Sequence, residues 1–299
     1  MSSKFFRYQG IIIIFAVVMI TVIIGLFSWL AQSMQQPDAV LTPLVFPSTT
    51  IPIAFTETSP ALSSEIEPAQ PATAVSMPSG WQALPPLPLG SQGLITNGDR
   101  SEYKVALTFD LCQRNDELTE YDTEIIRVLK EAQAPATFFA GGLWMHDHEA
   151  QTRELAGNPL FELGNHSWSH QDFSAISSEE MVEEIVRTQQ YMQGLLGYQT
   201  KLFRLPFGTY TDDALRVIGE TGLYTIQWDA VSGDPDPDID AQEMTGWVLQ
   251  QVQPGSIIIM HANGRGWHTA EALPAIIQSI REQGYSLVTV SDLLKLPYP

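Results

Sequence analysis

The chain has 299 residues, and its acids outnumber its bases 34 to 15, which gives a formal net charge of −19. This length allows one or two domains, with a core large enough to fold without a disulfide or a structural metal. The acidic balance argues against a nucleic-acid-binding protein, because a polyanion is repelled by a negative surface. The only cysteine, Cys112, excludes an intramolecular disulfide.

The first distinct segment of the chain is strongly apolar. Residues 10–30 contain no charged side chain over 21 positions, and a helix of that length, about 31 Å, spans the hydrocarbon core of a bilayer. Lys4 and Arg7 precede this segment, and the next basic residue is Arg100. The positive-inside rule then places residues 1–9 in the cytoplasm and the rest of the chain outside it, in the periplasm or at the cell surface. We expect a single-pass membrane anchor; a cleaved signal peptide is the alternative, since residues 31–33 resemble a cleavage site.

A linker is predicted from residue 31 to residue 97. Eleven of the 20 prolines lie between Pro37 and Pro88, among Ser, Thr and Ala, and this stretch contains no Lys or Arg before residue 100. Neither a helical nor a strand period persists in it, so we expect a semi-extended tether. The folded domain is then predicted over residues 98–299.

Within that domain, apolar strands alternate with amphipathic helices. The predicted strands are 105–110, 136–141, 161–166, 202–206, 224–229, 256–261 and 286–290. The predicted helices are 121–133, 147–156, 177–196, 212–220, 241–251 and 270–283. This alternation is typical of an α/β fold in which parallel strands are joined by helical crossovers.

The polar residues of these strands gather at their carboxyl ends. The residues at or near those ends are Asp110, His166, Arg204, Asp229 and His261. In a parallel α/β barrel the carboxyl ends of the strands converge on one face, where such barrels place their active sites. The pattern therefore predicts a functional site before any family is considered.

The sharpest local motif is a pair of histidines, His166 and His170. On a helical turn this spacing brings both imidazoles to one face, close enough to share one metal ion. Taken alone, this spacing is weak evidence, and a structural or surface pair is its usual interpretation. Facing Asp110, however, it favours a divalent cation such as Zn²⁺, for which two histidines and a carboxylate are suitable ligands.

Five segments of the domain resemble, in order, the motifs of the polysaccharide deacetylase (NodB-homology) family of carbohydrate esterases. The segments are Leu107–Cys112, Asn165–His170, Arg204–Gly208, Trp228–Asp234 and Ile259–His261. The resemblance covers essentially the whole folded region. It implies a distorted (β/α)7 barrel and a metal-dependent deacetylase of N-acetylated glycans.

The resemblance also implies roles for the residues at the strand ends. His166 and His170 would hold the metal, which polarises the acetyl carbonyl and binds the attacking water. Asp110 would accept a proton from that water as general base. His261 would protonate the departing amine as general acid.

Further residues would support these groups. The backbone N–H of Phe207, with the metal, would stabilise the oxyanion, and the exposed ring of Trp267 could stack on a sugar. Arg204 would keep Asp110 ionised, and Asp234 would orient His261 and favour its protonated form. Arg204 could instead form a structural salt bridge, and Asp234 could be a turn residue.

One departure from the family pattern concerns the metal. The family's third protein ligand is an aspartate at the position of Leu111, and leucine cannot bind a cation. Asp110, Asp116, Asp122 or an additional water could complete the coordination, and the Cys112 thiolate is a softer candidate.

The leading hypothesis is a membrane-anchored hydrolase that removes N-acetyl groups from an extracytoplasmic glycan such as peptidoglycan, an exopolysaccharide or a chitin-like polymer. One alternative is deacylation of a lipid-linked sugar. Another is a glycan-binding homologue without turnover, which the residue Leu111 suggests. A third makes Cys112 a nucleophile that acts with His261. No nucleic-acid partner is expected.

Overall fold

The computed structural model describes residue 77 and residues 93–296. The predicted cytoplasmic segment (1–9), the predicted membrane anchor (10–30) and most of the predicted linker (31–97) lie outside the described residues. Among the helices that the structure does describe, none has both the length and the apolar character needed to cross a bilayer.

The described residues form strands and helices that alternate along the chain. The strands are β1 Leu94–Ile95, β2 Lys104–Leu111, β3 Ala136–Ala140, β4 Phe161–Asn165, β5 Leu202–Phe203, β6 Tyr224–Ile226, β7 Ala230–Val231, β8 Ile257–His261 and β9 Ser286–Val288. The helices are α1 Thr123–Glu131, α2 Gly142–Asp147, α3 Glu149–Ala156, α4 Ser178–Leu196, α5 Asp212–Glu220, α6 Ala241–Gln251, α7 Thr269–Glu282 and α8 Val290–Leu294. A single 3₁₀ turn, Pro206–Gly208, follows β5.

All the strand pairs of this sheet are parallel, which confirms the predicted α/β class. The strand order is β1-β6-β5-β4-β3-β2-β8-β7, and β9 pairs with the amino-terminal half of β2. Residues 227–229 lead from β6, beside one end of this order, directly to β7 at the other end. The sheet is therefore curled, as expected for a distorted (β/α)7 barrel.

Several element boundaries differ from the predictions for local reasons. The helix predicted from residue 121 begins at Thr123, because the Asp122 side chain accepts hydrogen bonds from the first N–H groups of α1 and caps it. The helix predicted over 147–156 corresponds to α3, which begins at Glu149, and the preceding helix α2, which ends at Asp147, was not predicted. Strand β1 lies within the predicted linker and pairs with β6. By contrast, the helix predicted over 177–196 is observed with nearly the same bounds, because Ser177 and Glu180 form a capping box that starts α4 at Ser178.

The side chains of β2 alternate between the apolar core beside the helices and the interior of the barrel. Val105, Leu107, Phe109 and Leu111 are fully buried in the cluster that packs β2 against the helix layer. The residues between them point to the opposite side, since successive side chains of a strand alternate between faces. That side carries Asp110 at the carboxyl end of β2, and Cys112 follows it at the same spacing.

Candidate active site

The carboxyl ends of the central strands bring the predicted polar residues together. Asp110 on β2 and His261 on β8 are register partners in the sheet. His166 directly follows β4, and Arg204 directly follows β5. Because these strands run parallel, the four side chains reach the same end of the curled sheet.

Asp110 is held by a buried ion pair. The Arg204 Nη1 atom donates to Asp110 Oδ1 at 2.8 Å, and both side chains are buried. The same guanidinium donates to the carbonyl oxygens of Ile226 and Gln227, each at 3.3 Å, so that its planar donor group is fixed from two sides. Burial alone raises the pKa of the Asp110 carboxyl, but the charges of Arg204 and the neighbouring histidines outweigh it and lower that pKa.

The two histidines are brought together by an irregular bend, so the prediction of a helical turn at this motif is wrong. Residues 166–170 belong to no helix, and Ser167 and His170 both have left-handed backbone conformations, with φ of 66° and 56°. The two imidazole centroids nevertheless lie 5.0 Å apart. The two left-handed residues turn the chain tightly enough to bring the imidazoles together without a helix.

The orientation of His166 is set by one backbone contact. Its Nδ1 atom lies 2.9 Å from the Arg204 carbonyl oxygen, and a carbonyl oxygen only accepts, so Nδ1 carries the hydrogen. When the ring is neutral, Nε2 is therefore the nitrogen that can act as a ligand. His170 is also buried, and its Nδ1 atom has no hydrogen-bond partner among the described residues.

Cys112 lies beside both histidines. Its Sγ atom is 3.4 Å from His166 Nε2, and single donor atoms of Cys112, His166 and His170 lie within 4.8 Å of one another, close enough to hold a metal ion. A second such group joins Cys112 to Asp110 and His261. Burial raises the pKa of the Cys112 thiol, but the neighbouring histidines lower it well below its ordinary value.

Leu111 and the carboxylates of Asp116, Asp122 and Asp229 are placed elsewhere. Leu111 is fully buried in the apolar core. Asp116 is exposed and lies 3.7 Å from Arg114. Asp122 caps α1 through two hydrogen bonds of 3.1 Å. Asp229, which the sequence also places at a strand end, accepts hydrogen bonds from Arg100 and from the backbone of β8 and does not line the cavity described below.

His261 is paired with Asp234, which is buried and not a mere turn residue. The His261 Nδ1 atom lies 3.0 Å from Asp234 Oδ1, and the His261 backbone N–H donates to Asp234 Oδ2 at 2.6 Å. Ser232 and Thr269 donate further hydrogen bonds to the same carboxylate. Burial by itself lowers the pKa of His261, but the bond to Asp234 and the nearby Cys112 raise it well above its ordinary value of 6.5.

These groups open into a cavity of about 300 Å³. The lining includes Asp110, Cys112, His170, Phe207, Trp228, Asp234, His261 and Arg265. Phe207 has a φ of 59° at the 3₁₀ turn, and its ring, 56% exposed, lies edge-on to His170 with centroids 4.6 Å apart. A larger hollow of about 540 Å³ between α1 and α7 contains none of the predicted site residues.

Trp267 lies outside that lining. Its side chain is 60% exposed, and its backbone N–H donates to the Asp234 carbonyl oxygen at 3.1 Å. Sequence reasoning did not identify Trp228 or Arg265, which do line the cavity. Trp228 stands inside the fourth family-like segment, so its position next to Asp229 offered a signal. Arg265 offered none, because it stands in a loop without a pattern.

A curled parallel sheet with an acid, an arginine and histidines at the carboxyl ends of its strands is the arrangement of an α/β barrel enzyme, whose active site lies on that face. Comparison with known proteins identifies the family. Residues 97–226 match the polysaccharide deacetylase family. The chain is 31% identical to a family 4 carbohydrate esterase from Bacillus anthracis, whose structure superposes with a TM-score of 0.56 over 69% of this chain and 89% of that one. The chain therefore belongs to the polysaccharide deacetylase family, which confirms the predicted family and its hydrolase class.

Other relatives bear on substrate and on activity. The chain is 27% identical to a peptidoglycan-N-acetylglucosamine deacetylase of Bacillus cereus, over 67% of this chain and 71% of that protein. It is 29% identical to the uncharacterized protein YlxY of Bacillus subtilis over 58% of this chain, and it spans 53% of that protein's length. A family 4 pseudoenzyme from Bacillus anthracis is also similar, with 25% identity and a TM-score of 0.61 over 68% of this chain and 69% of that one.

Proposed function

We propose that this chain is a metal-dependent hydrolase that removes N-acetyl groups from an extracytoplasmic glycan, with peptidoglycan as the first substrate to test. The observation that carries the proposal is the meeting of a buried ion-paired carboxylate, a histidine pair and a carboxylate-paired histidine at one cavity. The relationship to a peptidoglycan deacetylase supports the choice of substrate.

The buried histidines fit a divalent cation. His166 presents Nε2 because its Nδ1 is bound to a carbonyl oxygen, and His170 has a buried ring nitrogen without a partner among the described residues. Imidazole nitrogens suit Zn²⁺, and we assign His166 and His170 as its ligands. When bound, such an ion polarises an acetyl carbonyl and lowers the pKa of a coordinated water.

Asp110 is assigned as the general base. Arg204 holds its carboxylate in the ionised form, which is the form that can accept a proton from the attacking water. The ion pair occupies Oδ1, so Oδ2 is the oxygen available to the water. Arg204 is a positioning residue, because it acts through Asp110 and does not line the cavity.

His261 is assigned as the general acid. Asp234 binds its Nδ1 side, which leaves Nε2 to donate a proton to the departing amine. The amide nitrogen is a very poor leaving group without that proton. Asp234 favours the imidazolium form that carries it, and so acts as the positioning residue for His261.

The remaining predicted residues concern the substrate. The Phe207 backbone N–H is assigned to the oxyanion, since Phe207 stands at the cavity next to His170. Trp267 lies beyond the lining, so we assign it to a sugar outside the reacting one, where an exposed indole can stack.

The membrane placement is also part of the proposal. Residues 10–30 would anchor the chain, and the linker would let the enzyme reach glycan outside the cytoplasmic membrane. An uncleaved anchor predicts that the full-length chain fractionates with membranes after carbonate washing. Recovery of a shorter soluble form that begins after residue 33 would instead establish the cleaved signal peptide.

The experiment uses the full chain in detergent with peptidoglycan and N-acetylglucosamine oligomers as substrates. We expect release of acetate and free amine, loss of both with a chelator, restoration by Zn²⁺, and abolition by Asp110→Asn. The matched control is Asp116→Asn, which makes the same change at an exposed carboxylate outside the cavity. Folded, zinc-loaded protein that releases no acetate from any acetylated glycan would overturn the proposal.

A second candidate function is glycan binding without turnover. The specific observation in its favour is Leu111, which leaves the family's third ligand position without a donor, together with the similarity to a pseudoenzyme. It predicts saturable binding to the same oligomers with no product, and binding that persists in Asp110→Asn.

A further inference from the structure

The Leu111 side chain lies in the apolar core. Its neighbours Phe109 and Leu107 belong to the same buried cluster against the helix layer, and Leu111 is fully buried among them. In this chain the Leu111 side chain therefore packs into the core, whereas Asp110 Oδ2 and Cys112 Sγ lie 3.6 Å and 3.4 Å from His166 Nε2. Leucine offers no donor at position 111, so the donors available at this end of β2 are Asp110 and Cys112.

Cys112 is held in place at its backbone. Its carbonyl oxygen accepts a hydrogen bond from Asn263 Nδ2 at 2.7 Å and another from Thr119 Oγ1 at 2.9 Å. Asn263 follows β8, and Thr119 precedes α1, so two separate segments fix this residue. The thiol is consequently presented to the histidine pair by a rigid backbone.

Three observations distinguish this thiol from an ordinary buried cysteine. Its Sγ atom lies 3.4 Å from the ring nitrogen of His166 that is free to act as a ligand. Single donor atoms of Cys112, His166 and His170 lie within 4.8 Å of one another. His170 is more than nine-tenths buried in this cluster, with a ring nitrogen that has no hydrogen-bond partner among the described residues.

The carboxylates compete poorly for the same place. Asp110 is engaged by Arg204 at 2.8 Å, and its other oxygen is 3.6 Å from His166 Nε2. Asp116 and Asp122 are committed elsewhere, to an exposed ion pair and to the cap of α1. Among the described residues, Cys112 is the only side chain that belongs to both donor groups at this end of the sheet.

We propose that the Cys112 thiolate is the third protein ligand of the metal, which converts the site to two imidazoles and one sulfur. This inference rests on the proposed function in one respect: both assign a metal ion to His166 and His170. Two imidazoles and one thiolate select Zn²⁺ over Mg²⁺, Ca²⁺ and Mn²⁺, which prefer oxygen ligands. Cys112 is then a ligand and not a nucleophile.

The deciding measurement is X-ray absorption at the zinc edge of the full-length, zinc-loaded wild-type protein. We expect one sulfur scatterer at about 2.3 Å in addition to nitrogen or oxygen scatterers at about 2.0–2.1 Å. The Co²⁺-substituted protein should show a sulfur-to-cobalt charge-transfer band in the near ultraviolet. Both signals should vanish in Cys112→Ser, because the chain contains no other cysteine.

Zinc affinity provides a second readout. Removing a hydrogen-bond partner of a metal ligand costs roughly 10–100-fold in affinity, and loss of a ligand itself should cost more. Cys112→Ser should therefore weaken zinc binding by more than 100-fold, and Cys112→Asp should recover part of it by supplying an oxygen donor. If the variants fail to fold, the wild-type absorption spectrum still decides.

The outcomes separate this inference from the proposed function. A wild-type spectrum with nitrogen and oxygen scatterers alone, from a protein that still deacetylates, overturns the sulfur ligand and leaves the deacetylase. A sulfur scatterer in a protein without turnover supports the ligand and overturns the deacetylase. A wild-type protein that binds no zinc overturns both.

Discussion

Glu184 on α4 holds the bend that carries the two histidines. Its side chain is buried, with 6% exposure, and its Oε2 atom accepts hydrogen bonds from the backbone N–H groups of Trp168 at 2.9 Å and Ser169 at 2.8 Å. Its Oε1 atom accepts from Ser169 Oγ at 2.7 Å and Gln171 Nε2 at 3.1 Å. One carboxylate therefore receives four donors from the segment between His166 and α4.

The substitution Glu184→Gln tests this arrangement. An amide keeps one acceptor oxygen, but hydrogen bonds to it contribute roughly 0.5–1.5 kcal/mol each instead of the roughly 1.5–3 kcal/mol typical of bonds to a charged group. The two backbone bonds together then lose about 2 kcal/mol, and the new NH₂ group faces the donor of Gln171. We expect the free energy of unfolding to fall by about 2–3 kcal/mol.

Glu184→Gln should also weaken metal binding. Ser167 and His170 adopt left-handed conformations that few residues other than glycine favour, so the bend depends on external hydrogen bonds. Loosening it should weaken zinc affinity roughly 10–100-fold, as removal of supporting contacts does at other sites. Glu184 is a positioning residue, and metal affinity is the readout that a purely stabilising role would leave unchanged.

The assay combines urea unfolding with zinc titration in competition with a chelating dye. The matched control is Glu183→Gln, which makes the same chemical change at the adjacent exposed position of α4. It should leave both quantities within about 0.5 kcal/mol of wild type. Wild-type zinc affinity in a folded Glu184→Gln protein would refute the reasoning, whatever its stability.

Three further predictions concern buried charges. Arg204→Met leaves Asp110 buried without its partner and should cost roughly 3–5 kcal/mol in urea unfolding; a loss below about 1 kcal/mol would contradict the ion-pair argument. Asp234→Asn should lower kcat by about 100-fold or more, because His261 loses the group that orients it and favours its protonated form. Steady-state kinetics measure kcat, and elemental analysis should show unchanged zinc content. An unchanged kcat would remove Asp234 from the mechanism. Burial raises the pKa of Glu162 above its ordinary value of 4.5, so this carboxyl binds a proton more tightly in the native protein than in the unfolded chain. The contribution of Glu162 to the free energy of unfolding therefore falls as the pH rises from 4.5 to the folded pKa. Glu162→Gln should therefore raise the urea midpoint at pH 7, with the advantage shrinking below about pH 4; an equal advantage at both pH values would show that charge is not the cause.

The parts of the fold that sequence predicts well are those that depend on local patterns. The apolar runs of β2, β3 and β8 identify buried strands, and the Ser177–Glu180 capping box identifies the start of α4. Strands β1 and β7, of two residues each, carry no such pattern. They are strands only because β6 and β8 offer them partners, and those partners are distant in the chain.

The candidate site divides in the same way. Asp110, His166 and His261 could be predicted because a polar residue at the end of an apolar strand is a local signal. The bend between His166 and His170 could not, since the four-residue spacing is typical of a helical turn. The contacts that shape the bend come from Glu184, which lies 14 residues beyond His170 and whose helical surroundings resemble an ordinary amphipathic face.

The replacement at Leu111 gains its meaning from the residue that follows it. Leu111 packs into the core and the Cys112 Sγ atom lies 3.4 Å from His166 Nε2, so a donor lost at one position can be recovered at the next. A chain that had merely lost its metal site would have no need of a metal-binding side chain at position 112. Instead the thiol is the shared member of two donor groups, while Asp110 keeps its arginine and His261 keeps its carboxylate. Because groups on both sides of the cavity remain paired, an altered ligand set accounts for Leu111 better than loss of catalysis does.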